Sequence, residues 1–300
     1  MSRWWRWLLG LAALLAVALL LLSQPRRLDD KAIAQSPGDP VAGARLFHIG
    51  GCASCHAAPG ARGDARQVLG GGGPLTTRFG TFRAPNISPS RQHGIGAWQL
   101  ADFANAMQRG VAPDGTLLYP AFPYASYARM TPADIANLFA YLKTLPAVET
   151  PSPASEIGFP FNIRRGIGLW QRLFLSAEPV VTLPKGGGPE LRRGQYLVEG
   201  PGHCGECHTP RTLGGAGGLD RAKWLAGAPD AEGKGKVPNI TPAKLKWSAA
   251  EIADYLKTGF TPDYDSVGGS MADVQRNLAE ASDVDRAAIA AYLKAVPAQQ

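Results

Sequence analysis

The chain has 300 residues, 45% of them apolar and 8% aromatic, which excludes a disordered polymer and suggests about two domains. Its 36 glycines and 25 prolines argue against long helices throughout and fit short helices joined by long loops. The formal charge of +7 does not point to nucleic acid, because the groups implied by the cysteine motifs below carry negative charge of their own.

The first predicted element is an apolar run from Leu8 to Leu22, preceded by Arg3, Trp4, Trp5, Arg6 and Trp7 and followed by Arg26 and Arg27. With its Trp collar the run would be about 28 Å long as a helix, enough to cross a hydrocarbon core. Residues 1–25 are therefore expected to form an N-terminal membrane anchor. A cleavable signal peptide competes, since Ala32-Ile33-Ala34 resembles a small-residue cleavage site, although that site lies well beyond the run. Arginines on both flanks leave the positive-inside rule nearly silent.

Asp39-Pro40 then reads as a helix start, with Asp as N-cap and Pro in the first turn. The helix carries Gly43 and Phe47 and leads into Cys52-Ala-Ser-Cys55-His56. Pro189 to Val198, with Gly194, Tyr196 and Leu197, leads in the same way into Cys204-Gly-Glu-Cys207-His208. In a C-x-x-C-H pair the thiols can add to the vinyl groups of a haem while the imidazole ligates its iron. A structural zinc is disfavoured because about 150 residues separate the pairs. A thioredoxin-like redox pair lacks its βαβ context, and neither it nor a disulfide accounts for the repeated His. Two haems bring four propionates, which would offset more than half of the formal charge. Since c-type attachment takes place outside the cytoplasm in bacteria, the body of the chain is expected in the periplasm, at the inner membrane.

Between Gly60 and Ile95 the Gly-, Pro- and Arg-rich sequence reads as loop. Internal repetition follows: Pro85-Asn86-Ile87-Ser88-Pro89 corresponds to Pro238-Asn239-Ile240-Thr241-Pro242. Trp98 and Trp247, Gly110 and Gly259, and Pro113-Asp114 and Pro262-Asp263 then match at a constant offset of 149. A helix lies inside each block; the second is started by a Ser248/Glu251 capping box and carries Ile252, Tyr255 and Leu256 on one face. Each unit closes with a helix, begun by Thr131 or Ser282 and ended by Tyr141-Leu142-Lys143 or Tyr292-Leu293-Lys294. The expected organisation is a first unit over 39–148, a Pro-rich linker with an amphipathic helix over 149–188, and a second unit over 189–297. The linker helix, Asn162 to Ser176, places Ile163, Ile167, Trp170 and Phe174 on one side and is expected to pack between the units or to bind a partner.

Each haem iron needs a ligand opposite His56 or His208, and Met suits electron transfer because a thioether raises the potential. Met107 matches Leu256 in the repeat and reads as core. Met130 ends an aromatic loop, Leu118 to Tyr127, directly before the closing helix, and is the expected first ligand. Met271 is the only methionine of the second unit, so it is the expected second ligand. It stands 21 residues before Tyr292, whereas Met130 stands 11 before Tyr141. A short extra helix from Met271 to Ala279 would absorb the difference; without it the second iron is left open or takes His203 or a lysine. His48, His93 and His203 otherwise read as surface or supporting residues, and Arg78, Arg83 and Arg211 as solvated or propionate-pairing.

These residues resemble a known family. Pro85-Asn86-Ile87, Gly94-Ile95-Gly96-Ala97-Trp98, Leu118-Tyr119-Pro120-Ala121-Phe122-Pro123-Tyr124, Phe159-Pro160-Phe161-Asn162 and Gly202 to Arg211 look like the cytochrome c subunit of membrane-bound periplasmic alcohol, aldehyde and gluconate dehydrogenases. The resemblance runs from about Asp39 to Pro297; the best-known such subunits carry three haem motifs and this chain has two, so it is more similar to shorter dihaem relatives that serve molybdenum-dependent or flavin dehydrogenases. It implies an all-α fold, an N-terminal transmembrane helix followed by two tandem class I cytochrome c domains. It implies two covalently bound haem c and electron transfer without catalysis of its own. The donor would be a dehydrogenase catalytic subunit of molybdenum, flavin or quinone-cofactor type, and the acceptor quinone, soluble cytochrome c or oxidase. A dihaem subunit of a terminal haem-copper oxidase and a dihaem peroxidase-type enzyme are the alternatives; the long linker and the paired Trp blocks speak against the oxidase.

Overall fold

The computed structural model describes residues 3–33, 37–184, 186–233 and 235–300. Ala34 of the candidate cleavage site lies outside the described residues. Helix α1 spans Arg3–Leu22, with a mean hydropathy of 2.2 and none of its apolar window buried, so its length and composition suit a bilayer crossing. In the first unit, α2 (Pro40–Ile49) is capped by Asp39, whose side chain accepts the Val41 N–H. It leads into the single turn α3 (Cys52–His56). Then follow α4 (Leu100–Arg109), the short α5 (Tyr124–Tyr127) and the closing helix α6 (Pro132–Leu142), capped by Thr131.

After the linker helix α7 (Arg165–Phe174), the second unit repeats the order. Helix α8 (Pro189–Glu199) leads into α9 (Gly205–His208). Next come α10 (Ala249–Thr258), started by the Ser248/Glu251 capping box, then α11 (Met271–Leu278) and the closing α12 (Asp283–Ala295). The extra helix at Met271 is thus present.

Helix α2 crosses α6, and α8 crosses α12, and each crossing is set by one glycine. A Cβ on Gly43 would lie 2.0 Å from the Asn137 carbonyl oxygen, and one on Gly194 would lie 1.9 Å from that of Ala288. Only hydrogen at Cα allows backbones this close. The lysines of the repeated Tyr-Leu-Lys ends close the other side of each unit. Lys143 Nζ donates to the carbonyls of Ile95 and Gly96, and Lys294 Nζ to that of Trp247.

The expected all-α fold needs correction. Strands β1 (Pro74–Thr77) and β2 (Gly80–Arg83) form a hairpin inside the stretch that composition marks as loop. Threonines and Phe82 favour extended backbone there, between the surrounding glycines. The linker adds β3 (Glu156–Ile157) to the edge of β2, and the second unit has a small hairpin of β4 (Ala228–Pro229) and β5 (Lys236–Val237).

Each unit has one main core cluster, and a small third cluster joins Val111 and Leu117 to Ile167 of α7. The first gathers Leu46, Phe47, Ala53, Leu69, Phe103, Met107, Tyr127, Met130, Ile135 and Leu138. The second gathers Leu197, Val198, Trp224, Leu225, Ile252, Leu256, Ile289 and Tyr292, and it also takes in Ile49 from the end of α2. The units therefore share apolar contact, and α2 touches α11. Helix α7 lies against both: Gln171 Nε2 donates to the Arg109 carbonyl at 2.8 Å, and Trp170 Nε1 to that of Ala216 at 3.0 Å.

Candidate haem-binding sites

Each C-x-x-C-H motif is wound into one helical turn, which puts residues i, i+3 and i+4 on a common side. Cys52, Cys55 and His56 share one side of α3, and Cys204, Cys207 and His208 are disposed alike around α9. The chain enters each turn through a left-handed residue before the first cysteine, Gly51 (φ 59°) in one unit and His203 (φ 41°) in the other.

The histidines are oriented identically. His56 Nδ1 is 2.8 Å from the Pro85 carbonyl oxygen, and His208 Nδ1 is 2.8 Å from that of Pro238. A hydrogen bond at Nδ1 fixes the tautomer and leaves Nε2 with its lone pair free to ligate a metal. The proline loops are held in turn. Asn86 Nδ2 donates to the carbonyls of Val148 and Thr150, while its Oδ1 accepts the Ser88 N–H. Asn239 repeats this with the Gln299 carbonyl and the Thr241 N–H. Gly71 and Gly227, both at positive φ, donate N–H to the carbonyls of His56 and His208 at 2.7 and 2.8 Å. A Cβ on Gly71 would lie 2.5 Å from the Ala84 oxygen, so the cradle admits only glycine there.

Burial sets the electrostatics. It pushes the Cys52 and Cys204 thiols up to about 12, and it also raises Cys55 and Cys207. Reactive C-x-x-C redox pairs have lowered thiol pKa values, so these are not built for disulfide exchange. Burial lowers His56 and His208 below the ordinary imidazole value, against the raising effect of the proline carbonyls, and keeps both rings neutral as ligands must be. Among the described residues no three His, Cys, Asp or Glu side chains gather into a metal site of their own.

The candidate distal residues differ in setting. Met130 is 3% exposed in the first core, with Cys52 packed against the same cluster, and its carbonyl accepts from Gln108 Nε2 at 2.8 Å. Met107 belongs to that cluster too, as its counterpart Leu256 belongs to the second. Met271, the first residue of α11, is partly buried against the second core, as is Cys204.

Sequence reasoning missed the groups between the two motifs. Tyr127 meets the His203 ring edge-on at 5.5 Å, so His203 is a boundary residue and not a surface one. Burial raises the Tyr127 hydroxyl well above its ordinary value, helped by Cys52 and Cys55 of one motif and Glu206 of the other. Ser126 Oγ donates to Glu206 Oε1 at 2.8 Å, and Arg211 pairs with Oε2 of the same carboxylate. Asn277 Nδ2 reaches Ser54 Oγ at 2.7 Å. Of the arginines read as solvated or propionate-pairing, Arg83 holds Glu156 at 3.0 Å, Arg211 pairs with Glu206, and Arg78 donates to the Gly214 carbonyl. The proline carbonyls were detectable in principle, because they follow their histidines by 29 and 30 residues.

The cytochrome c family model matches residues 40–146, and that for cytochrome c oxidase, cbb3-type, subunit III matches residues 189–293. A dihaem cytochrome c-type protein of Cereibacter sphaeroides is 52% identical over 290 residues, covering 97% of both chains. The chain belongs to the dihaem c-type cytochromes. The cytochrome is also 37% identical over 83% of its length to the fructose dehydrogenase cytochrome subunit of Gluconobacter japonicus. It is 36% identical over 89% of its length to the cytochrome c subunit of a quinone-linked alcohol dehydrogenase of Gluconacetobacter polyoxogenes. It spans about half the length of those two subunits, 50% and 58%. The cytochrome is mostly helical, has two cytochrome c domains and carries two covalently bound haem c.

Proposed function

We propose that this cytochrome is an electron-transfer subunit. It takes electrons from a dehydrogenase catalytic subunit and passes them to the respiratory chain, with quinone, a soluble cytochrome c or an oxidase as acceptor. The observation that carries this is the placement of the two attachment turns on either side of one boundary, bridged by Ser126, Tyr127, Glu206 and Asn277. Such an arrangement suits passage between two centres.

Cys52, Cys55, Cys204 and Cys207 would form the thioether links, and His56 with Met130, and His208 with Met271, would hold the two irons. The bound group supplies reversible one-electron exchange at iron. The protein residues fix the imidazoles through Pro85 and Pro238, and Tyr127 and Met130, packed into the first core, would keep water from the first iron. Units 39–148 and 189–297 are the two class I domains, 149–188 the linker, and 1–25 an anchor that holds the body on the periplasmic face of the inner membrane. The named relatives are cytochrome subunits of dehydrogenases, so the substrate chemistry belongs to the partner. The oxidase-subunit description covers the second unit alone and does not outweigh relatives matched across both.

Extraction in mild detergent followed by mass spectrometry of the bound proteins tests the function. A dehydrogenase catalytic subunit is expected, and a haem-copper oxidase core in its place would overturn the reading. Met130→Ala tests the ligand: loss of the thioether-to-iron absorption band and a lower potential for one haem are expected, and an unchanged spectrum removes Met130 from the site.

A further inference from the structure

Helix α7 is tied to the last turn of α1. Arg165 Nη1 donates to the Leu20 carbonyl at 3.2 Å and to Ser23 Oγ at 3.1 Å, and Arg172 Nε donates to the Leu22 carbonyl at 3.1 Å. A Cβ on Gly168 would lie 2.2 Å from the Ser23 carbonyl oxygen, so the two backbones touch. Positions 165, 168 and 172 fall on one face of α7, which is thus the face turned to α1.

The last carbonyls of a helix have no partner within it, and a hydrocarbon phase offers none. The α7 guanidinium groups satisfy two of them and complement the negative end of the helix dipole. If α1 crosses a bilayer, α7 is held within about one helical turn, or 5.4 Å, of the point where the span leaves the hydrocarbon.

That depth explains the residues around α7. Phe159 is 80% exposed, Ile163 54% and Leu173 74%, and Phe161 is also exposed. Three of these four lie in one turn directly before the helix, and Leu173 lies near its end. In water such a set is a liability. At a headgroup boundary, apolar side chains beside arginines that snorkel are the usual composition. Continuity with the span, and not exposure alone, selects lipid over a protein as what covers them.

We propose that residues 159–173 form a membrane-surface foot, with Phe159, Ile163 and Leu173 inserted at the boundary between phospholipid headgroups and acyl chains. The foot fixes the tilt of the haem body over the bilayer, which a single α1 tether would leave free. The proposal rests on the reading of α1 as a retained anchor.

The test uses the full-length holoprotein in phospholipid nanodiscs that carry a photoactivatable diazirine lipid, with the group either near the glycerol or at the acyl terminus. Labelled peptides are mapped by mass spectrometry. Both probes should label α1, and the shallow probe should label 159–173 several-fold more than the deep one. A Phe159→Asp/Leu173→Asp variant should lose most of the shallow labelling of this segment while α1 labelling stays. Labelled α1 with unlabelled 159–173 overturns the foot and leaves the anchor standing, as does labelling that the double variant does not change. Unlabelled α1 overturns the anchor, and the foot with it.

Discussion

Ser126 and Glu206 join the two units directly: the serine hydroxyl donates to the carboxylate at 2.8 Å, and the carboxylate belongs to the second haem motif. Glu206 is nearly enclosed, with Arg211 on its other oxygen. A negative charge held between the two attachment turns favours the oxidised form of both centres. Glu206→Gln removes that charge while the positive charge of Arg211 stays, so the net change is one unit toward positive. At an effective dielectric of about 20, a unit charge roughly 10 Å away is worth about 1.7 kcal/mol. Both potentials should therefore rise by tens of millivolts in a spectroelectrochemical titration. A variant whose two potentials equal those of the wild type would mean that Glu206 only braces the boundary.

Gly43 and Gly194 are the points where each unit tolerates nothing larger. Overpacking a core usually costs about 1–3 kcal/mol. Here the clash is with a backbone carbonyl at 2.0 or 1.9 Å, which no rotamer change relieves, so Gly43→Ala and Gly194→Ala should reach the top of that range or exceed it. Gly166→Ala, whose Cβ would meet nothing within 4 Å, is the control and should be neutral or slightly stabilising. Thermal unfolding followed by circular dichroism, with the haem content per chain, separates these outcomes.

Both glycines were legible in the sequence, because each precedes its haem motif at a matching place in the repeat. So were the helix starts, since Asp39, Thr131, Ser248 and Ser282 cap as local chemistry dictates. Strands β1 and β2 were not: glycine and proline around Thr76 to Phe82 mask a hairpin, and β3 reaches it from the linker, more than 70 residues along the chain. Nor were Ser126, Tyr127 and Asn277 legible as boundary residues. Their partners are set by how one unit is placed on the other, and neither helical period nor repeat register carries that information. Met271 stands between these cases, for α11 was foreseeable from its extra ten residues while the side chain's partial burial was not.

Asn86 is the support beneath the first proximal histidine. It is 3% exposed and makes three hydrogen bonds that hold Pro85 where His56 needs its carbonyl. Asn86→Ala should cost about 2–4 kcal/mol, since each lost bond is worth roughly 1 kcal/mol and the stranded carbonyls add to it. The same change should alter the potential of one haem only, because orientation and basicity of a ligating imidazole depend on the group at its other nitrogen. Urea unfolding measures the first effect. If stability falls while both potentials hold, Pro85 is positioned by something other than Asn86.

Acid should loosen the protein through His48. Its Nδ1 is buried without a hydrogen-bond partner among the described residues, and burial lowers its pKa below 6.5, with Glu280 raising it and Arg66 lowering it further. Both charges stand toward the boundary, where Arg66 also pairs with Asn277. Because the folded pKa lies below the unfolded one, the unfolded state binds more protons between them. Stability is therefore full above about pH 6.5 and declines as pH falls from there toward the folded pKa. His48→Leu cannot take up a proton and should flatten part of that decline, leaving the share due to His203, which burial also lowers. Urea midpoints measured from pH 7.5 down to 5 would show it, as approximate bounds around the ordinary imidazole value. Parallel curves for the two proteins would place the acid sensitivity elsewhere.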